Sequence, residues 1–304
     1  MEAAADLPVA ERDYAALAAA GVTVLLWGSA FVGIRSAGRH FSPGALSLGR
    51  LTVAFVAIAV IGLVRGERLP SRDALREVGI PLLVCGLLWF GAYNVALNSG
   101  ERRVDAGTAA MLVNVGPILI AVLAGVLLRE GFPRTLFAGL AVAFAGVVVI
   151  ALASSRHAAT TTGVLLCLAA AGAYAVGVVA QKVVLRRLSP VQTVFCCALI
   201  GALATTPFVG QLSRELGPAH AEGWIVYLGI GPTALGFITW GFALSRTTAG
   251  KLAATTYLVP PVSVLLGWLL LNESPASLAY LGGALCLAGV AVSRRPGVRH
   301  RKGV

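Results

Sequence analysis

The 304-residue sequence is short of charge, and of acid above all. It holds 13 Asp and Glu against 24 Lys and Arg, and charged residues make up 12% of the chain, about half the share of a soluble domain. The apolar share is 58%, against ~45–50% for soluble domains. Too little polar material exists to clothe a globule, so lipid is the solvent for most of the surface. No Asp or Glu falls mid-way along an apolar run, which weakens the most direct model of proton coupling, a buried carboxylate that carries the proton. His40, His157, His220 and His300 fall in loops or tails and cannot relay protons through a core. The five cysteines, Cys85, Cys167, Cys196, Cys197 and Cys286, are odd in number and lie inside apolar runs. They are neither a disulfide framework nor a metal set but small buried side chains. No Gly-x4-Gly-Lys-[Ser/Thr] loop is present to hold ATP. Glu101 and Asp105 lie near one face without a His or metal partner, so no catalytic residue, metal site or cofactor is assigned and an enzyme is not expected. Met1–Asp13 carries four acids and one base, unlike a secretory leader.

What is present is apolar length. Runs of about 17–22 residues, enough to cross a ~30 Å hydrocarbon core as helices, occupy 15–34, 43–63, 78–98, 106–127, 135–153, 163–183, 190–210, 223–244, 251–271 and 277–293. The expected fold is an all-α polytopic membrane protein with ten transmembrane helices. The bases fall in the gaps between runs and in the tail, not on one face, which argues against nucleic acid as a partner. Seventeen lie on one side of the expected membrane, from Arg12 to Lys302, and six on the other (Arg35, Arg39, Arg102, Arg103, Arg156 and Arg214). Arg50 alone lies within a span. By the positive-inside rule both termini are cytoplasmic, in the inner membrane, with the bases held near anionic lipid.

The chain repeats itself. An offset of 143 residues lays Pro117 on Pro260, Glu130 on Glu273, Gly139 on Gly282 and Gly146-Val147 on Gly289-Val290. An offset of 147 lays Phe41-Ser42-Pro43 on Leu188-Ser189-Pro190, Trp27 on Tyr174 and Arg35 on Lys182. Each copy has five spans, so the second enters the membrane from the opposite side. The expected organisation is a tail (1–14), a first five-helix repeat (15–153), an inverted second repeat (163–293) and a basic tail (294–304) around a central cavity. Inverted repeats allow alternating access to one mid-membrane site. Small-residue spacing at Gly139, Gly146, Gly172, Gly177, Gly282, Gly283 and Gly289 permits close helix packing. Pro117, Pro260 and Pro261 predict bends or breaks.

Trp27-Gly28-Ser29-Ala30-Phe31-Val32 in the first span, Arg50 early in the second, and the duplicated pairs Pro117/Glu130 and Pro260/Glu273 resemble the EamA-type members of the drug/metabolite transporter superfamily. The resemblance covers about residues 15–293. It implies a ten-helix basket with a central cavity and, in many members, export of amino acids or related metabolites. The second half departs from the pattern, with Cys197 at the counterpart of Arg50 and Tyr174 at that of Trp27, so an asymmetric site is expected.

Candidate substrate-binding residues are the polar and aromatic side chains within spans: Trp27, Ser29, Arg50, Tyr93, Asn94, Asn98, Asn114, Tyr174, Trp240 and Tyr257, with Trp89, Gln181 and Thr239 as further polar or aromatic positions. Arg50 offers a bidentate hold on a carboxylate or a structural brace. Pro117, Glu130, Pro260 and Glu273 are candidate hinge or gating residues. The leading expectation is a secondary transporter exporting small metabolites, amino acids above all, with lipid and a small-molecule substrate as partners. Export of lipophilic drugs, flipping of lipid-linked sugars, or a structural or sensory role are the alternatives. Oligomeric state is left open, with a monomer favoured.

Overall fold

The computed structural model describes residues 13–104, 106–154, 160–217, 219–271 and 277–295. Glu273 and most of both tails lie outside the described residues. Most of those described are helical, with turns and short loops between the helices and no strand among them. The helices are α1 (Tyr14–Ala37), α2 (Pro43–Val64), α3 (Arg72–Glu101), α4 (Ala106–Val113), α5 (Gly116–Leu127), α6 (Arg134–Ser154), α7 (Thr161–Val184), α8 (Pro190–Ala204), α9 (Val209–Glu215), α10 (Ala221–Arg246), α11 (Ala249–Leu270) and α12 (Ser277–Ser293).

Seven of these, α1, α2, α3, α6, α7, α10 and α11, are each long and apolar enough to cross a membrane. The eighth candidate is bent: α8 and α9 meet at 51°, so the run at 190–210 is not the straight helix its composition suggests. The cause is local. Pro207 cannot donate to the Leu203 carbonyl of the preceding turn, which accepts instead from the Thr206 hydroxyl at 2.8 Å. Met111–Leu127 and α12 are shorter apolar helices. Apolar side chains such as Leu25, Leu63, Val64 and Leu168 face outward, as lipid solvation requires. This is a polytopic membrane protein.

Helix starts are set by the expected chemistry. Asp13 caps α1 through the Ala16 amide at 3.0 Å, and Ser189 forms a full capping box with Gln192 at α8. The breaks follow proline. The Asn114–Val115 turn separates α4 from α5, just before Pro117, and a 3-10 turn at Thr256–Leu258 interrupts α11 just before Pro260. Proline is tolerated at a first helical turn, where its missing N–H costs nothing. Two further departures have no sequence forecast: π-helical stretches at Cys85–Ala92 in α3 and Gly229–Leu235 in α10.

The packing is paired. α1 lies against α10 as α7 lies against α3; α1 meets α11 as α7 meets α5; α3 meets α8 as α10 meets α2. α2–α8 and α6–α12 cross between the halves. Even the caps are reciprocal: Glu215 accepts from the Ser42 amide at 2.7 Å, and Glu67 accepts from the Ser189 hydroxyl. The α6–α12 crossing is the closest. A Cβ at Gly139 would come 2.4 Å from the Ser293 amide, and one at Gly282 would come 2.6 Å from the Gly146 carbonyl. Only glycine allows backbones this near.

Candidate functional site

Two ends can be told apart by the side chains that join them. We call the end where α1 starts proximal and the other distal. Between them, near the middle of the bundle, lies an aromatic pocket of about 100 Å³ lined by Trp27, Arg50, Trp89, Tyr93, Asn94, Asn114 and Tyr174, with Phe237 and Thr256. Trp27 stacks on Trp240 with ring centres 5.0 Å apart, Trp89 on Phe237 at 4.8 Å, and Trp89 on Tyr174 at 5.3 Å. Glycines make room for the rings. A Cβ on Gly177 would come 2.4 Å from Trp89 Cβ, and one on Gly116 would come 2.6 Å from Tyr174 Cδ1.

The π stretches build this pocket. A π turn advances about one residue further per turn than an α turn, so Trp89 is followed on its own side by Tyr93 and Asn94 together. The Asn94 amide donates to the Phe90 carbonyl at 2.8 Å and so fixes the stretch. In α10, Pro232 has no N–H to give its preceding turn, and the Leu228 carbonyl accepts instead from the Thr233 hydroxyl at 2.7 Å. Thr233 Oγ1 in turn accepts from Arg50 Nε at 3.0 Å and Nη2 at 2.9 Å. The Pro232 carbonyl accepts from Trp27 Nε1 at 3.2 Å. Arg50 is thus held, 6% exposed, by a distorted turn of the other half. A buried guanidinium needs such partners.

Distal to the pocket lies a vestibule of about 390 Å³, with Phe31 and Ile34 lining both. The vestibule walls carry Arg35, Arg39, Asn98, Glu101 and Arg102 together with Pro260 and Ser263. Asn98 donates to Ser47 Oγ at 3.1 Å, while its Oδ1 is buried without a hydrogen-bond partner. Glu101 lies within the electrostatic reach of both Arg35 and Arg50. Arg102 holds the α1–α2 turn through the Phe41 carbonyl at 2.8 Å. The proximal end is tied shut. Glu130 Oε1 accepts from the Ala249 amide at 2.8 Å and Oε2 from the Gly250 amide at 3.3 Å, a carboxylate on the N-terminus of α11. Arg129, just before it, has φ +57°, a strained setting for a non-glycine residue that turns Glu130 back toward α11. Lys182 Nζ donates to the Leu244 and Thr247 carbonyls at the end of α10, as a cation favours.

Of the expected binding residues, Trp27, Arg50, Tyr93, Asn94, Asn114 and Tyr174 meet at the pocket, and Asn98 stands in the vestibule. Three do not line either space. Ser29 donates to the Leu26 carbonyl and accepts from the Tyr227 hydroxyl on the α1–α10 flank. Trp240 is packed behind Trp27. Tyr257 is fully buried and donates to the Asn114 carbonyl at 3.0 Å, bracing the break beside Pro117. Of the hinge residues, Pro117 and Pro260 follow the two helix breaks and Glu130 makes the proximal tie. Sequence reasoning passed over Thr233, because a threonine in an apolar run has no distinctive signature. It also set Glu101 aside, although with Asn94 and Asn98 that residue completes an i, i+4, i+7 stripe that could have found it.

The profile of the EamA-like transporter family matches this chain twice, over residues 15–152 and 161–295. The chain belongs to the EamA-like transporter family. A relative from Streptantibioticus cattleyicolor, named a probable terminal-alkyne amino-acid exporter, is 37% identical over 283 residues, covering 92% of this chain and 94% of its own. A probable amino-acid metabolite efflux pump of Salmonella typhimurium is 27% identical, covering 90% and 92%. A solved crystal structure superposes with a TM-score of 0.77 at 25% identity, over 93% of this chain and 97% of that one. An EamA-like transporter is a membrane carrier, not an enzyme.

Proposed function

We propose that this EamA-like transporter exports amino acids or closely related small metabolites across the cytoplasmic membrane by alternating access. In this reading the chain crosses ten times as two inverted repeats, both termini are cytoplasmic, and the proximal end faces the cytoplasm. One observation carries it: a pocket of aromatic rings with a buried guanidinium, reached from one end and tied shut at the other. An amino acid has the matching parts. Its carboxylate meets the outer edge of Arg50, whose Nε side is already held by Thr233. Its ammonium meets Asn98 Oδ1 and Glu101 at the vestibule, and its side chain packs among Trp27, Trp89 and Tyr174. The names of the relatives, exporters of amino acids and their metabolites, support the substrate class.

The conformation described is the outward-open one, closed at the cytoplasmic end by Glu130 and Lys182. The family's transport needs a second state, in which these ties release and the distal vestibule closes. The test is flux of an amino-acid panel into proteoliposomes, with and without pH and voltage gradients. Saturable flux of a subset, lost on Arg50→Ala with the protein still folded, supports the reading. Flux of lipophilic or lipid-linked solutes alone overturns the substrate class, and dependence on the pH gradient makes Glu101 the carboxylate to test for coupling.

A further inference from the structure

The halves of the molecule are copies, but in this conformation one copy of the vestibule wall is open and the other is buried. At the distal end the wall from α1 and α2 is made by Ile34, Arg35, Pro43 and Leu46. The 147-residue offset carries these to Gln181, Lys182, Pro190 and Thr193 on α7 and α8. The copies converge at the proximal end. A Cβ on Gly241 of α10 would come 3.4 Å from Pro190 and 3.9 Å from Gln181 Nε2, and Lys182 reaches the end of the same helix.

Their chemistry does not suit a permanent core. Gln181 and Thr193 are each 0% exposed. Both amide atoms of Gln181, the Thr193 hydroxyl and the neighbouring Trp240 Nε1 are buried with no hydrogen-bond partner. Such groups are rare in native interiors, since each costs roughly 1–3 kcal/mol unless water or a ligand satisfies it. Their distal counterparts Ile34 and Leu46 are apolar, so the polar choice belongs to the second copy alone.

We infer that Gln181, Lys182 and Thr193 line a second, cytoplasm-facing vestibule that is closed in this structure. It opens when Lys182 leaves the carbonyls of α10 and Glu130 leaves the amides of α11. Gln181 and Thr193 then hydrogen-bond the polar head of the solute and the water that accompanies it. This rests on the transport reading above for the identity of the solute, not for the existence of the vestibule.

The test is sided thiol labelling. The five native cysteines are replaced by alanine, and Gln181→Cys, Thr193→Cys or Asn98→Cys is introduced singly. Membrane-impermeant maleimide is applied from either side of proteoliposomes whose protein orientation is fixed by protease cleavage of a terminal tag. Asn98→Cys labels from the distal side and reports that the protein is folded. Gln181→Cys and Thr193→Cys are expected to label from the proximal side only, at least tenfold faster when Lys182→Met or Glu130→Gln is added. Absence of labelling at both positions in both unlatched backgrounds, with Asn98→Cys still reactive, overturns the inference. So does labelling from the distal side. Amino-acid flux is measured on the cysteine-free parent, which keeps Gln181, Thr193 and Asn98, in matching vesicles. Its absence together with proximal labelling of the variants overturns the transport reading and leaves the vestibule standing.

Discussion

The two ends of the bundle are built from copied elements and differ in what their polar groups touch. At the distal end Arg35 and Asn98 face a vestibule. At the proximal end Lys182, the copy of Arg35, is spent on the carbonyls of α10. Under the proposed alternating-access reading, the difference teaches that the fold encodes two similar half-paths and a small set of hydrogen bonds that decides which is closed. Ties worth about 1.5–3 kcal/mol each, as hydrogen bonds to charged groups are, suffice to bias such a choice, because every 1.4 kcal/mol is tenfold in population.

The largest effect is expected at the point both half-paths share. Arg50→Ala removes the carboxylate partner and frees Thr233, and should lower transport efficiency by two orders of magnitude or more, about 3–5 kcal/mol. Thr233→Val keeps the guanidinium but strips its acceptor, and is expected to cost about 1–3 kcal/mol of stability. Flux and thermal unfolding in detergent separate the two: the first variant should lose flux more than stability, the second stability first. Equal loss of both in Arg50→Ala would make Arg50 a brace alone.

Next comes the proximal tie. Glu130→Gln keeps one acceptor for the α11 amides but loses the charge that favours a helix N-terminus. It should loosen the closed end by about 1–2 kcal/mol, raising the proximal-open population roughly tenfold. Binding of a solute offered only from the distal side should weaken in step. Unchanged distal affinity would remove Glu130 from the gate.

An effect on stability rather than on transport distinguishes packed from unpacked glycines on one helix. Gly177→Ala drives a Cβ into Trp89 and should destabilise by about 1–3 kcal/mol. Gly172, five residues earlier, has nothing within 4 Å of such a Cβ. There alanine should stabilise by up to about 1 kcal/mol through helix propensity. Melting temperatures of the pair decide this.

Much of this was legible in the sequence. Seven of the ten expected spans were, because lipid forces long apolar helices, and so were the two helix breaks, because proline lacks the N–H they dispense with. The meeting of Trp27, Arg50, Tyr93 and Tyr174 followed from their being the polar and aromatic residues in an otherwise apolar interior. The rest was hidden for identifiable reasons. The π stretches shift the register around Trp89 and Thr233, and a period of 3.6 cannot forecast them. Tyr257 was expected to contact substrate, but its ring and hydroxyl are used by the break it braces. Glu130 was placed at a helix end by its position, yet its partner is an amide some 120 residues away, which no local pattern reveals.

The smallest expected effect lies at the proximal rim, where Asp13 accepts from the Ala16 amide and from Arg246 at 3.1 Å. These two hydrogen bonds, the backbone one foremost, hold its carboxyl below the usual carboxylate range. A group lowered in this way contributes its stability above the unfolded value, about 3.9, and loses it as pH falls through the folded one. The pair is exposed and screened by salt, so the contribution is small. Asp13→Asn keeps a good N-cap and loses only the ion pair, whereas Asp13→Ala loses both. The melting temperature should therefore fall in the order wild type, Asn, Ala at neutral pH and low salt. The gap between wild type and Asn should close in high salt and vanish on acidification. A gap that survives high salt would show that Asp13 holds the closed end by more than this rim contact.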